Sequence, residues 1–391
     1  MRFTVNRKIL LENLKTMIGL VPNASPKHEL QCFLFEANED EGYLYLSVNN
    51  LHCAIQRKTE ANVEEGGSIV IHARMIYEIL TALGDDNVTF TQNKAGFVYI
   101  QSGRSEYNIA VLSEKLFPVP EMPFPDSTIA VHSLKNFYDK TSTVSQRKNK
   151  DNEKSVSRGI HFDIGDKKIK VMAFDKNKVA LTTQNLDSDS KLSFTLSKEV
   201  YDCLASAVGD DEIEVGTCGN TIVFMKKDFL FSAQKLDQPY PDVIGLLGKL
   251  KYEYAAKVEH GELKNTLSNI CDMASLGSET SYVKMRFLED KIEMSTQNDV
   301  VSGSNSVEVT RVKGCDEMTF YYNVKSLKNV LKTVEGTLII GLDKKGNLNV
   351  MDKFNQYMIS KSNENHAIKQ IEKSQNKKTE KLSKRKTAKA A

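Results

Sequence analysis

The chain is 391 residues long, 40% hydrophobic and 27% charged, ordinary values for a globular protein of more than one domain. Its 53 Lys and Arg stand against 51 Asp and Glu, but residues 360–391 hold ten of the basic residues against three glutamates, which leaves 43 against 48 in residues 1–359. A mildly acidic body excludes a protein that holds nucleic acid by one uniform basic surface, and no run approaching eighteen apolar residues exists to cross a membrane.

In chain order, MRFTVNRKILLENLKTMIGLVPNAS predicts a strand running into an amphipathic helix. Glu12, Asn13 and Lys15 interrupt its apolar stretch, which argues against a signal peptide and for a cytoplasmic protein. GYLYLSVNNLHCAIQRKTEA then alternates with period two, as paired strands do, and SIVIHARMIYEILTALGDDNVTF reads strand, helix, turn, strand. A proline-rich boundary follows at residues 120–127. The pattern returns in IAVHSLKNFYDKTSTVS, KKIKVMAFDKNKVALTTQNL and LSFTLSKEVYDCLASAVGDDEIEV, up to a second boundary at GLLGKLK, residues 245–251. It appears a third time in AAKVEHGELKNTLSNICDMA, DKIEMSTQNDVVSGSNSVEV and MTFYYNVKSLKNVLKTVEGTLIIGL. Leu80, Leu204 and Leu331 hold matching helical positions, 124 and 127 residues apart.

The fold class expected is therefore α+β: three repeated domains, each with two helices packed on antiparallel sheets, six helices in all. The domains are expected at residues 1–124, 125–249 and 250–362. The lysine-rich segment 363–391 holds too few apolar groups to offset ordering entropy, so it is expected to be a disordered tail. The cysteines Cys32, Cys53, Cys203, Cys218, Cys271 and Cys315 lie far apart without a C-x-x-C pair, which predicts reduced thiols, and the seven dispersed histidines offer no zinc spacing. No phosphate loop, G-x-S-x-G elbow or paired-histidine motif is present; no cofactor, no metal and no catalysis is expected.

MRFTVNRKILLENL, SGRSEYNIAVLSEKLFP and YPDVIGLL, set in this threefold layout, resemble the bacterial DNA polymerase III beta subunit, the sliding clamp, across residues 1–362. The resemblance implies a head-to-tail homodimeric ring of six domains, with helices lining a hole that holds duplex DNA. It also implies partners that dock on the ring: DNA polymerase, a clamp loader and other clamp-binding peptides. A ring retains DNA topologically, so weak and sequence-independent phosphate contacts suffice.

Candidates for those contacts are Lys8, Lys15, Lys27, Arg74, Lys198, Lys325, Lys328 and Lys332. The last three recur at three and four spacing opposite Leu327, Val330, Leu331 and Val334; a solvated helix face is the alternative reading. The polar loop SQRKNKDNEKSVSRG adds Arg147, Lys148 and Lys150, in the place where clamps touch DNA at the ring mouth, though it lacks the aromatics that clamps often carry there. For ring closure the resemblance points to Tyr107 and Ile109 facing Leu276, with packing inside their own domains as the alternative. For the partner-peptide cleft it points to Lys154, Ser157, Phe174, Asn177, Lys178, Val179, Pro241, Leu246, Met358 and Ile359. Here the family's turn glycine and histidine are Lys176 and Asn177, and its terminal methionine–proline–methionine is lost, so an altered peptide preference is expected.

Overall fold

The computed structural model describes residues 1–84, 86–93, 96–120, 122–145, 159–276, 282–297, 301–314 and 317–362. The repeats are realised as alternating strands and capped helices. The strand Arg2–Asn6 leads into α1 (Arg7–Met17), where the Asn6 side chain accepts from the backbone N–H of Lys8 and Ile9 and so satisfies two otherwise orphaned donors. The other helices of the repeats are α2 (Ala73–Ala82), α3 (Leu134–Thr141), α4 (Lys198–Val208), α6 (His260–Ser275) and α7 (Val324–Leu331), with α5 (Val243–Gly248) between the second and third repeats. Ser197 caps α4 and Asn323 caps α7 in the same way as Asn6. Leu80, Leu204 and Leu331 all lie in the core.

α5 is one helix more than the sequence periodicity suggests. It is too short to show a period, and GLLG reads as a breaker. It forms because the Asp242 carboxylate accepts from Gly245 N at 2.7 Å, closing the first turn.

Contacts gather into two compact units, Met1–Tyr138 with Ser188–Gln238, and Asp139–Asp187 with Pro239–Ala391. The first unit contains a sheet in the order Asn62–Glu65, Arg2–Asn6, Asn87–Gln92, Phe97–Ser102, Ser105–Ala110. Its inner face is built around stacked Phe3 and Phe90, with ring centroids 4.8 Å apart. The second sheet of this unit runs Ile129–Val131, Ile213–Cys218, Thr221–Lys226, Phe229–Gln234, Cys53–Glu60, Tyr43–Asn49, Cys32–Asn38, Gly67–His72. It joins two repeats edge to edge, from Phe229 opposite Arg57 to Ala233 opposite Cys53. Residues 125–127 cross this sheet closely: a Cβ at Gly216 would lie 2.6 Å from Pro125 and from the Ser127 carbonyl, so glycine is required there.

The second unit repeats the device. Its long sheet runs Gly159–Gly165, Lys168–Phe174, Lys178–Asn185, Asn355–Ile359, Leu348–Met351, Thr337–Asp343, Tyr252–Glu259, Thr310–Lys313. The junction pairs Lys178 with Ile359 through to Thr182 with Asn355, where the Thr182 hydroxyl donates to Asn355 Oδ1 at 2.6 Å in a buried setting. Its other sheet runs Ser302–Glu308, Lys291–Gln297, Tyr282–Phe287, Met318–Asn323.

Each junction follows one rule. The third strand of one repeat's inner hairpins (Cys53–Glu60, Lys178–Asn185) pairs with the last strand of the next repeat (Phe229–Gln234, Asn355–Ile359). Two strands of these two classes remain at sheet edges: Ser105–Ala110, the last of the first repeat, and Ser302–Glu308, third of the inner hairpins in the third repeat.

Candidate functional site

The sequence-derived cleft residues fall in the second unit. A tight turn joins Lys168–Phe174 to Lys178–Asn185: Asp175 N donates to the Lys178 carbonyl at 2.8 Å, and the Asp175 carboxylate accepts from Asn177 N and pairs with Lys178 Nζ at 3.2 Å. The C-terminal strand is tied to this turn by Ser360 N donating to the Asn177 carbonyl at 2.8 Å. Met172, Val179, Val243 and Leu247 form a buried floor beneath the turn, flanked by Phe174, Leu181, Tyr240, Leu250 and Met358. α5 thus contributes Val243 and Leu247 to the floor and leaves Ile244 and Leu246 exposed, Leu246 at 47%.

One wall of this surface is aromatic. Tyr240 stacks on His161 with centroids 4.5 Å apart, meets Phe174 edge-on at 5.3 Å, and donates its hydroxyl to the Met172 carbonyl. Burial pushes the Tyr240 phenol above its ordinary range and pulls the His161 imidazolium below its own, the latter opposed by the Asp163 carboxylate. His161 is therefore neutral at neutral pH and serves as a flat stacking partner.

Of the sequence-derived cleft residues, the structure brings together Phe174, Asn177, Lys178, Val179, Pro241, Leu246 and Met358 around the turn and α5. Ile359 lies elsewhere, only 2% exposed, bordering an interior pocket with Leu263, Leu267 and Leu327. Met358 and Ile359 are consecutive on a strand and so face opposite sides of the sheet. Lys154 and Ser157 lie outside the described residues. Met172, Leu181, Tyr240, Val243, Leu247 and His161 were missed; the period-two partners of Phe174 and Val179 were legible, the stacking of His161 was not.

The cationic candidates are distributed unevenly. Lys8 and Lys15 are exposed on α1, with Lys8 paired to Asp86 at 2.8 Å. Arg74 is exposed on α2 and hydrogen-bonded to the Asn23 side chain. Lys27 sits in a loop, Lys198 is half-buried at the start of α4, and Lys325 and Lys332 are exposed at the two ends of α7. Lys328 is half-buried and bound to Asp272 of α6 at 2.6 Å. Arg147, Lys148 and Lys150 lie outside the described residues. The sequence reading overlooked acidic residues beside these cations: Glu199 and Asp202 share α4 with Lys198, and Asp272 of α6 meets Lys328.

At the first sheet's edge, Tyr107 pairs with Ile100 and Ile109 with Val98, so both side chains share the core-facing side, where Ile109 is buried. Leu276 caps the C-terminus of α6 at 66% exposure, and it borders an open hollow of about 400 Å³ with Met273, Ser304 and Asn305 beside the strand Ser302–Glu308.

Each unit thus joins two repeats of strand, helix and hairpins edge to edge. The family described as DNA polymerase III beta subunit, N-terminal domain, matches residues 1–122. The beta sliding clamp of Staphylococcus aureus is 23% identical over 349 residues, covering 86% of this chain and 90% of that protein. A structure of a putative DNA polymerase III beta subunit from Eubacterium rectale superposes with a TM-score of 0.85 at 17% identity, over 93% of this chain and all of that one. The Bacillus subtilis sliding clamp superposes with 0.83 at 18% identity, over 93% and 99%. Residues 1–122 thus match that family's N-terminal domain, and the chain as a whole has the fold of the bacterial sliding clamps.

Proposed function

We propose that two copies of this chain close head to tail into a ring around duplex DNA and tether a DNA polymerase and other replication or repair proteins to it. The observation that carries this reading is the pair of unmatched sheet edges. Ser105–Ala110 and Ser302–Glu308 belong to the two strand classes that pair at both internal junctions, so a second copy supplies each with the partner its own chain gives the others. Joining them buries two open edges that would otherwise invite indiscriminate pairing. In that arrangement Leu276 packs against the face carrying Tyr107 and Ile109.

In this reading the domains follow the repeats, residues 1–124, 125–249 and 250–362, and residues 363–391 form a basic appendage. The cations of α1, α2 and α7 touch phosphates weakly, and the cleft beside α5 receives partner peptides. The chain performs no chemistry itself and works in the cytoplasm, on the nucleoid. The altered turn at Lys176 and Asn177 favours a second variant of the reading, an accessory clamp or a decoy that engages a loader or another clamp.

Retention on DNA tests the proposal. Loaded protein is expected to stay on a closed circle and to leave once the circle is cut, at a salt concentration where the tail peptide alone no longer binds. Equal loss from both templates contradicts a ring. A decoy instead gives mixed dimers with another clamp and no gain in polymerase processivity.

A further inference from the structure

We propose that the cleft beside α5 selects an extended peptide that combines apolar anchors with acidic side chains. This rests on the reading of that surface as a partner site and adds the chemistry of the partner.

The apolar half of the argument is the floor of Met172, Val179, Val243 and Leu247 with exposed Leu246 and Ile244 at its side. The floor is already buried, so a peptide laid there gains by removing Leu246 and Ile244 from water. The charged half is the rim. Lys176 is exposed at the tip of the turn, and Lys249 and Lys251 are exposed immediately beyond α5, flanking Leu250 of the cluster. None of the three takes part in an ion pair among the described residues.

The rim's own carboxylates are already committed. Asp175 holds Asn177 N and the Lys178 ammonium, and Asp242 caps α5 through Gly245 N. Among the described residues, the rim therefore presents cations that no carboxylate pairs with. Lys361 does not join them, because its ammonium lies over the Phe320 ring, 5.0 Å from the centroid. The chain beyond reinforces the sign: Ser362 N is anchored to the Tyr321 carbonyl, and residues 363–391, with nine Lys and Arg against three Glu, leave from that point.

Exposed ion pairs are individually weak and salt-sensitive. Three of them acting together are expected to give a preference of about tenfold at low salt. Anchors and charges then divide the work, the first giving affinity and the second choosing among partners.

The experiment uses the full chain and two fluorescein-labelled nonapeptides with identical central Leu and Phe anchors, one flanked by Asp and Glu, the other by Asn and Gln. Anisotropy is read at 50 and at 300 mM salt. The acidic peptide is expected to bind about tenfold tighter at low salt, with the preference shrinking at high salt and in the doubly substituted Lys176→Glu, Lys249→Glu protein. It should persist in a chain ending at Ser362. Equal affinity for the two peptides overturns the acidic preference while leaving the cleft intact. A preference that disappears with the tail assigns it to residues 363–391 and overturns the rim. Binding of neither peptide, or binding unaffected by Leu246→Asp, contradicts the cleft reading itself.

Discussion

The two internal junctions share a backbone and differ in what lies over it. At the first, Asn50 N donates to the Cys53 carbonyl and Gln234 N to that of His52; at the second, Asp175 N donates to Lys178 and Ser360 N to Asn177. Turn, neighbouring strand and register correspond. At the first junction the turn displays Leu51, 48% exposed and held at a φ of 70°, and the Asn49 side chain ties the turn to the Pro118 carbonyl. The connector there is rich in proline, which lacks the N–H a helix needs. At the second junction the connector becomes α5 and lays Val243 and Leu247 onto Met172 and Val179. The repeat supplies the scaffold, and the connector decides whether the scaffold carries an apolar floor.

This contrast can be broken by substitution. Leu247→Ala removes a buried side chain from the floor and is expected to cost about 2–4 kcal/mol, read as a shift in the urea midpoint. Leu51→Ala, in the exposed turn of the first junction, is expected to change stability by less than about 0.5 kcal/mol. Comparable losses at both positions contradict the division between a dressed and a bare junction.

A smaller loss is expected when Asn355→Ala leaves the Thr182 hydroxyl without its acceptor and takes from the Asp352 carboxylate the two hydrogen bonds that the Asn355 side-chain amide donates. About 1–3 kcal/mol is at stake, because an unsatisfied buried group bears its desolvation cost. Adding Thr182→Val should restore part of it, and a double-mutant cycle measures the coupling. Smaller again is Asp242→Ala, which removes the α5 cap at a cost of about 1 kcal/mol. Peptide affinity should fall with it, since the cap orients Leu246.

pH gives the finest test. His161 has its folded pKa held below the ordinary value, chiefly by burial, so the unfolded chain binds the extra proton first as pH falls. Stability should decline as pH drops below about 6.5 and level off beneath the depressed folded value. His161→Gln should flatten that slope; an unchanged slope assigns it to another group.

The repeat was legible because its signals are local. Alternation in MTFYYN, three and four spacing in VKSLKNVL and a capping Asn323 are written within a dozen residues. The cross-repeat pairings were not, since the register of Phe229–Gln234 on Cys53–Glu60 depends on strands more than 150 residues apart. α5 escaped because a six-residue helix has no measurable period and rests on one cap. In the site, Phe174 and Val179 were found through the turn, whereas Tyr240 over His161 joins positions 79 residues apart. The strand reading could itself have separated Met358 from Ile359, since consecutive strand residues cannot share a face. Lys8 and Lys328 appeared as free cations in the sequence, and the fold supplies each with a carboxylate.

The central claim is that the edges Ser105–Ala110 and Ser302–Glu308 close on a second copy. Sedimentation equilibrium of the full chain at micromolar concentration, beside Leu276→Asp, tests it most directly. Leu276 is largely exposed, so its substitution should leave the fold of each copy unchanged by circular dichroism. The account predicts twice 43.9 kDa for the unaltered chain and 43.9 kDa for the variant. A monomeric unaltered chain, or a variant that stays dimeric, would contradict it.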